Sequence, residues 1–101
     1  MRMRVIGDPF TVRVFELIGI RGVVVGDEQE AKAEIDRSLE ERDLGVVFVA
    51  QTFVDRLGEA FDAYLERRSP PIVLGLPDRH TKGTGAEDIA RFLEASLGIH
   101  F

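Results

Sequence analysis

Gly45-Val46-Val47-Phe48-Val49-Ala50 is an unbroken apolar run, β-branched and aromatic, set between the charged stretch Glu40–Asp43 and the polar pair Gln51-Thr52. Six such residues without polar alternation read as a strand buried on both faces. Strands of that kind belong to parallel sheets covered by helices on each side. This run is therefore taken as the central strand, and the rest of the chain is read outward from it.

On its N-terminal side, Met3–Ile6 is predicted to be a first strand ending at Gly7. Asp8-Pro9 then opens a helix, with Asp8 as the cap and Pro9 at the first helical position, where a missing amide donor costs nothing. Phe10, Val14, Leu17 and Ile18 share one face of that helix, the predicted core face. Arg21–Gly26 is a second strand. Asp27 and Glu30 have capping-box spacing. Ala31, Ile35 and Leu39 follow at i, i+4 and i+8, and the surrounding charges read as the wet side of an amphipathic helix.

On its C-terminal side, Thr52-Phe53-Val54-Asp55 looks like a helix start, with Thr52 as cap. Val54, Leu57, Phe61, Tyr64 and Leu65 make one continuous helical stripe. Gly58 inside it weakens the helix by about 1 kcal/mol relative to Ala and suggests close packing. Arg67-Arg68 is placed in the last turn, where cations suit the carbonyl end. Ser69-Pro70-Pro71 stops the helix, and Ile72–Leu76 is a fourth strand. After the polar loop 78–83, Ile89, Phe92, Leu93 and Leu97 form the stripe of a last helix.

Four strands alternating with helices, joined by right-handed crossovers, predict an α/β fold. The expected core is a four-stranded parallel sheet in the order 2-1-3-4, Rossmann-like or receiver-like, with helices on both faces. The division expected is a globular part, 1–77, followed by a hinge loop and C-terminal helix, 78–101, of the same domain.

A chain of 101 residues with no cysteine and a net charge of −5 is one domain without disulfides. Its acidity argues against nucleic acid as a partner. No run approaches the roughly 20 apolar residues of a membrane span, and Met1–Arg4 has no signal-peptide core. A soluble cytosolic protein is the simplest expectation.

Ligands of such folds bind beyond the carboxyl ends of the strands. The residues expected there are Asp8, Asp27, Gln51, Thr52, Asp78, Arg79, His80 and Lys82. Asp8, Asp27 and Thr52 have capping roles to fill. A receiver would need an acid at the end of the central strand, where Ala50-Gln51 stands. Gly83-Thr84-Gly85 is a weak phosphate-loop signal, since neither a third glycine nor a Gly-Lys-Ser/Thr follows. His80 and His100 are isolated, and no metal set or cofactor site is read. The last helix is either docked permanently on the sheet or detachable, with Gly83 and Gly85 as the hinge.

Several segments together resemble the F subunit of the V-type (archaeal or vacuolar-type) ATP synthase or ATPase. They are Arg4-Val5-Ile6-Gly7-Asp8, Gly22-Val23-Val24-Val25 before an acidic helix, Val46-Val47-Phe48-Val49, Ser69-Pro70-Pro71-Ile72-Val73-Leu74, Lys82-Gly83-Thr84-Gly85, and Ala95-Ser96-Leu97-Gly98-Ile99. Their order and spacing over the whole chain carry the likeness. Glu87-Asp88 departs from the apolar or amide residues frequent in the family there.

The resemblance implies a non-catalytic rotor component without a cofactor. Its implied partners are the coiled-coil D subunit of the central stalk and the catalytic A and B subunits, at the cytoplasmic periphery of the membrane. Gly83, Thr84, Gly85, Ile89, Phe92, Leu93 and Leu97 are the expected partner-binding residues. The competing reading is a stand-alone α/β ligand-binding or signalling module that uses the carboxyl-end loops.

Overall fold

A computed structural model describes residues 2–77. The chain runs β1 (Arg2–Gly7), α1 (Pro9–Leu17), β2 (Arg21–Val24), α2 (Glu28–Ser38), β3 (Leu44–Ala50), α3 (Gln51–Leu57), α4 (Glu59–Leu65) and β4 (Ile72–Leu76). The sheet order is β2-β1-β3-β4, and every pairing is parallel. This is the α/β architecture expected from the sequence.

All seven residues of β3 are buried. The central position leaves it paired on both edges and covered on both faces, which is why the run carries no polar alternation. The register lays two rows across the sheet. Gly22, Val5, Phe48 and Leu74 form one row, and Val23, Ile6, Val49 and Gly75 form the other. The first row faces α1, whose Val12 and Phe15 complete a cluster with Val5, Phe48 and Leu76. The second row faces α2, α3 and α4, through Ala31, Ile35, Phe53, Phe61 and Tyr64.

The α1 face differs from the expectation. Its buried residues are Thr11, Val12 and Phe15, whereas Leu17 is 76% exposed, Phe10 39% and Ile18 38%. Two apolar stripes compete on this short helix, and Phe15 and Val12 win the contact with the sheet. Thr11 can be buried because its hydroxyl donates to Asp8 Oδ1 at 2.5 Å, which leaves no unsatisfied polar group.

The expected single helix from Thr52 to Leu65 is two. Gly58 sits between them at φ +56°, ψ −127°, a backbone conformation that only glycine adopts readily. Nothing lies within 4 Å of where its Cβ would stand, so Gly58 serves the turn and not close packing. The helix α3 starts directly off β3 with Ala50 at its cap position and no side-chain cap bond. Thr52 is therefore inside the helix and not its cap. Because α4 ends at Leu65, Arg67 and Arg68 lie beyond the last turn, and the Arg67 guanidinium donates from Nε to the Pro71 carbonyl at 3.1 Å. Leu65, placed in the stripe by its spacing, is half exposed.

Replacing Gly58 by Ala is expected to cost about 1–3 kcal/mol through backbone strain alone. Urea unfolding measures it. A cost below about 0.5 kcal/mol, the level of a neutral surface change, would show that the break between α3 and α4 does not depend on glycine.

The predicted loop 78–83, the Gly83–Gly85 hinge and the Ile89, Phe92, Leu93, Leu97 stripe lie outside the described residues.

Candidate functional site

The carboxyl ends of the strands were the expected ligand edge, and the described residues there are committed to local structure. The Asp8 carboxylate accepts from the Thr11 amide at 3.4 Å and from its hydroxyl, capping α1. Asp27 accepts from the Glu30 amide at 2.8 Å and caps α2. Glu30 reaches back, accepting from the Gly26 amide at 2.8 Å, one residue earlier than the usual box. Gln51 donates to Asp55 within α3 at 2.8 Å. The structure therefore spreads these groups over three separate helix starts instead of gathering them. Asp78, Arg79, His80 and Lys82 lie outside the described residues. So do Gly83, Thr84, Gly85, Ile89, Phe92, Leu93 and Leu97.

The charged groups that do converge lie at the opposite, amino end of the sheet. Arg4 forks onto Glu41, with Nη2 3.0 Å from Oε1 and Nη1 on Oε2, and Nη1 also donates to Ser38 Oγ at 3.0 Å. Arg2 donates to Glu41 at 3.0 Å and to Asp43 at 2.7 and 2.8 Å. The Arg4 bond holds the Glu41 carboxyl below its usual range, with Arg2 adding to it, and the Arg2 bond does the same for Asp43. This ties the start of β1 to the turn between α2 and β3. The partners are about forty residues apart, so local spacing does not reveal them. They become visible only once β1 and β3 are known to be neighbours.

The sign of the pH effect follows. A carboxylate whose folded pKa is depressed contributes stability above its unfolded value and loses it as pH falls through the folded one. Glu41→Gln should therefore flatten the loss of stability between about pH 5 and pH 3, relative to the unaltered chain. The measurement is the urea midpoint against pH. Parallel curves for both proteins would show that Glu41 is not linked to folding.

A second cross-link joins α2 to α4. Tyr64 donates its hydroxyl to Asp36 at 2.5 Å and accepts from Lys32 Nζ at 3.0 Å. Burial, followed by Asp36, raises the tyrosine pKa. Lys32 is raised chiefly by its bond to Tyr64. The arrangement holds two helices on one face together.

Another surface feature among the described residues is the apolar stripe on α1. Phe10, Val14 and Leu17, with Ile18 at the helix end, are the residues that the spacing placed in the core. The structure leaves Phe10, Leu17 and Ile18 at the surface, while Val14 is half-buried. Exposed apolar groups arranged together, as distinct from single scattered ones, mark contact surfaces. Among the described residues no cluster of three or more His, Asp or Glu could hold a metal ion, and no helix is long and apolar enough to cross a membrane.

The family described as "ATP synthase (F/14-kDa) subunit" matches residues 3–92, which takes in nearly all of β1 and every other described element. Among similar proteins, the F subunit of the V-type ATP synthase of Fusobacterium nucleatum is 27% identical over 97 residues, covering 96% of this chain and 91% of the relative. That of Clostridium botulinum (strain Eklund 17B) is 27% identical over 99 residues, covering 98% and 95%. The F subunit of the A-type ATP synthase of Thermococcus onnurineus is 25% identical over 104 residues, covering 98% and 96%.

Proposed function

The chain belongs to the family of ATP synthase (F/14-kDa) subunits, and on that premise we propose that it is a non-catalytic part of the central rotor stalk of a V-type ATP synthase or ATPase. In this reading it binds the coiled-coil D subunit and turns beside the A and B subunits, where the nucleotide chemistry takes place. It contributes to torque transmission and to regulation of proton-coupled ATP synthesis or hydrolysis. It sits on the cytoplasmic side, peripheral to the membrane.

The observation that carries the reading is the breadth of the family match, residues 3–92 in one piece. The competing module reading is weakened by the caps, which employ two of its acids.

Within the proposed function, residues 1–77 form the body, and residues 78–101 supply a hinge and a partner-binding helix. Gly83, Thr84 and Gly85 provide the joint, and Ile89, Phe92, Leu93 and Leu97 the contact. Withdrawing four such side chains from an apolar site costs at most about 6–12 kcal/mol, so exchange of one site for another requires a partner that covers the same stripe. Hydrogen exchange tests this assignment. Amides of 89–97 should change their protection when the D subunit is added to the full chain. Identical rates free and bound would remove these residues from the interface.

A further inference from the structure

The arginines at the amino end of the sheet are not fully accounted for by their carboxylates. Arg4 and Arg21 are register partners on adjacent parallel strands. Alternation places both on the α2 side of the sheet, since Arg4 reaches Ser38 of α2 and Val23, two residues after Arg21, packs with the α2 cluster. Like charges directly opposite on neighbouring strands are destabilising. Arg4 is neutralised by Glu41, and Arg2 by Asp43 and Glu41. Arg21 is exposed and has no carboxylate within ion-pair distance among the described residues.

These three arginines line an open depression of about 490 Å³, with Ile20 and Leu44 contributing apolar wall. Three guanidinium groups against the two carboxylates of Glu41 and Asp43 leave a positive balance. Glu40 and Arg42, on the same turn, offset each other. The local excess stands out on a chain whose net charge is −5. A positive balance with a free guanidinium fork suits a carboxylate.

We propose that this depression receives one carboxylate, presented by an acidic side chain of the stalk partner. Arg21 supplies the fork that the internal acids leave free. The inference rests on the proposed function, because it takes its partner from there. It concerns the edge of the sheet opposite to the one from which residues 78–101 depart.

The test measures affinity of the full chain for the purified D subunit by calorimetry. Arg21→Ala is expected to weaken binding about fivefold and Arg21→Glu about twentyfold, with Arg21→Lys between Ala and the unaltered chain. The losses should shrink as salt is raised. The free variants should melt no lower than the unaltered chain, since each relieves or leaves unchanged the Arg4–Arg21 repulsion. This separates a contact from a folding role. Affinity unchanged in Arg21→Glu overturns the inference and leaves the rotor reading standing. Failure of the unaltered chain to bind the D subunit overturns both. In a parallel arm, inorganic phosphate is titrated into the free chain and the arginine side-chain N–H signals are followed by NMR. Saturable binding there, with unchanged affinity for the D subunit in the Arg21 variants, would reassign the depression to a free anion and overturn the partner assignment.

Discussion

Phe48→Ala should lower the unfolding free energy by about 3–5 kcal/mol, the range for truncating a fully buried phenylalanine. Phe48 is completely buried in the central strand. It lies in the row Gly22, Val5, Phe48, Leu74, and its ring stands 5.9 Å from that of Phe15 on α1. Removing it opens a cavity between the sheet and its α1 cover. The backbone pairs on both edges of β3 prevent the strand from moving in to fill it. A domain of this size has only about 5–15 kcal/mol in total, so the variant should be near the limit of folding at physiological temperature. Phe48→Leu, which keeps most of the volume, should cost under about 1.5 kcal/mol. Chemical unfolding of both variants distinguishes packing from a general intolerance of the strand. A loss below about 1 kcal/mol for the alanine variant, under the range for a filled core site, would show that the α1 face is loosely packed.

Gly22→Val should be comparably damaging for the opposite reason. A Cβ at position 22 would lie 2.7 Å from Cγ1 of both Val5 and Val12, and 3.2 Å from the Val5 carbonyl oxygen. Val5 and Val12 are themselves buried, so neither can swing into solvent. Even Gly22→Ala must push α1 away from β2, at about 1–3 kcal/mol, and the two further methyls of valine should exceed that range. Because Val12 is one of the two obstacles, Val12→Ala combined with Gly22→Ala should cost less than the sum of the single changes. Chemical unfolding of the two single variants and the double variant measures this. Additive losses would mean that the close approach is not what position 22 requires. The glycine is needed here for lack of a side chain, whereas Gly58 is needed for its backbone angles.

The strands were legible because their signal is local. A run such as Val46–Val49 has one reading in a chain this short, and four strands with helical connections leave few parallel orders. The strand order and the two capping aspartates therefore come out of the sequence with little ambiguity.

The misreadings have physical causes. On α1, periodicity offered Phe10, Val14, Leu17 and Ile18, but a helix of nine residues can turn either of two apolar stripes inward. The choice depends on Gly22 making room for Val12 and on Phe48 meeting Phe15, which are contacts distant in sequence. Thr11 takes a buried place on that face because its hydroxyl is satisfied by Asp8. The stripe from Val54 to Leu65 survives a break at Gly58 because both short helices still bury one side. The arginine cluster was invisible until Arg4 and Arg21 were placed side by side by the register.

The central claim is that this chain is a stalk component held by the D subunit. The direct test is co-purification of the full chain with that partner, followed by native mass spectrometry. The account predicts a one-to-one complex that persists through size exclusion. A chain that elutes and flies only as a monomer in the presence of the D subunit would contradict it.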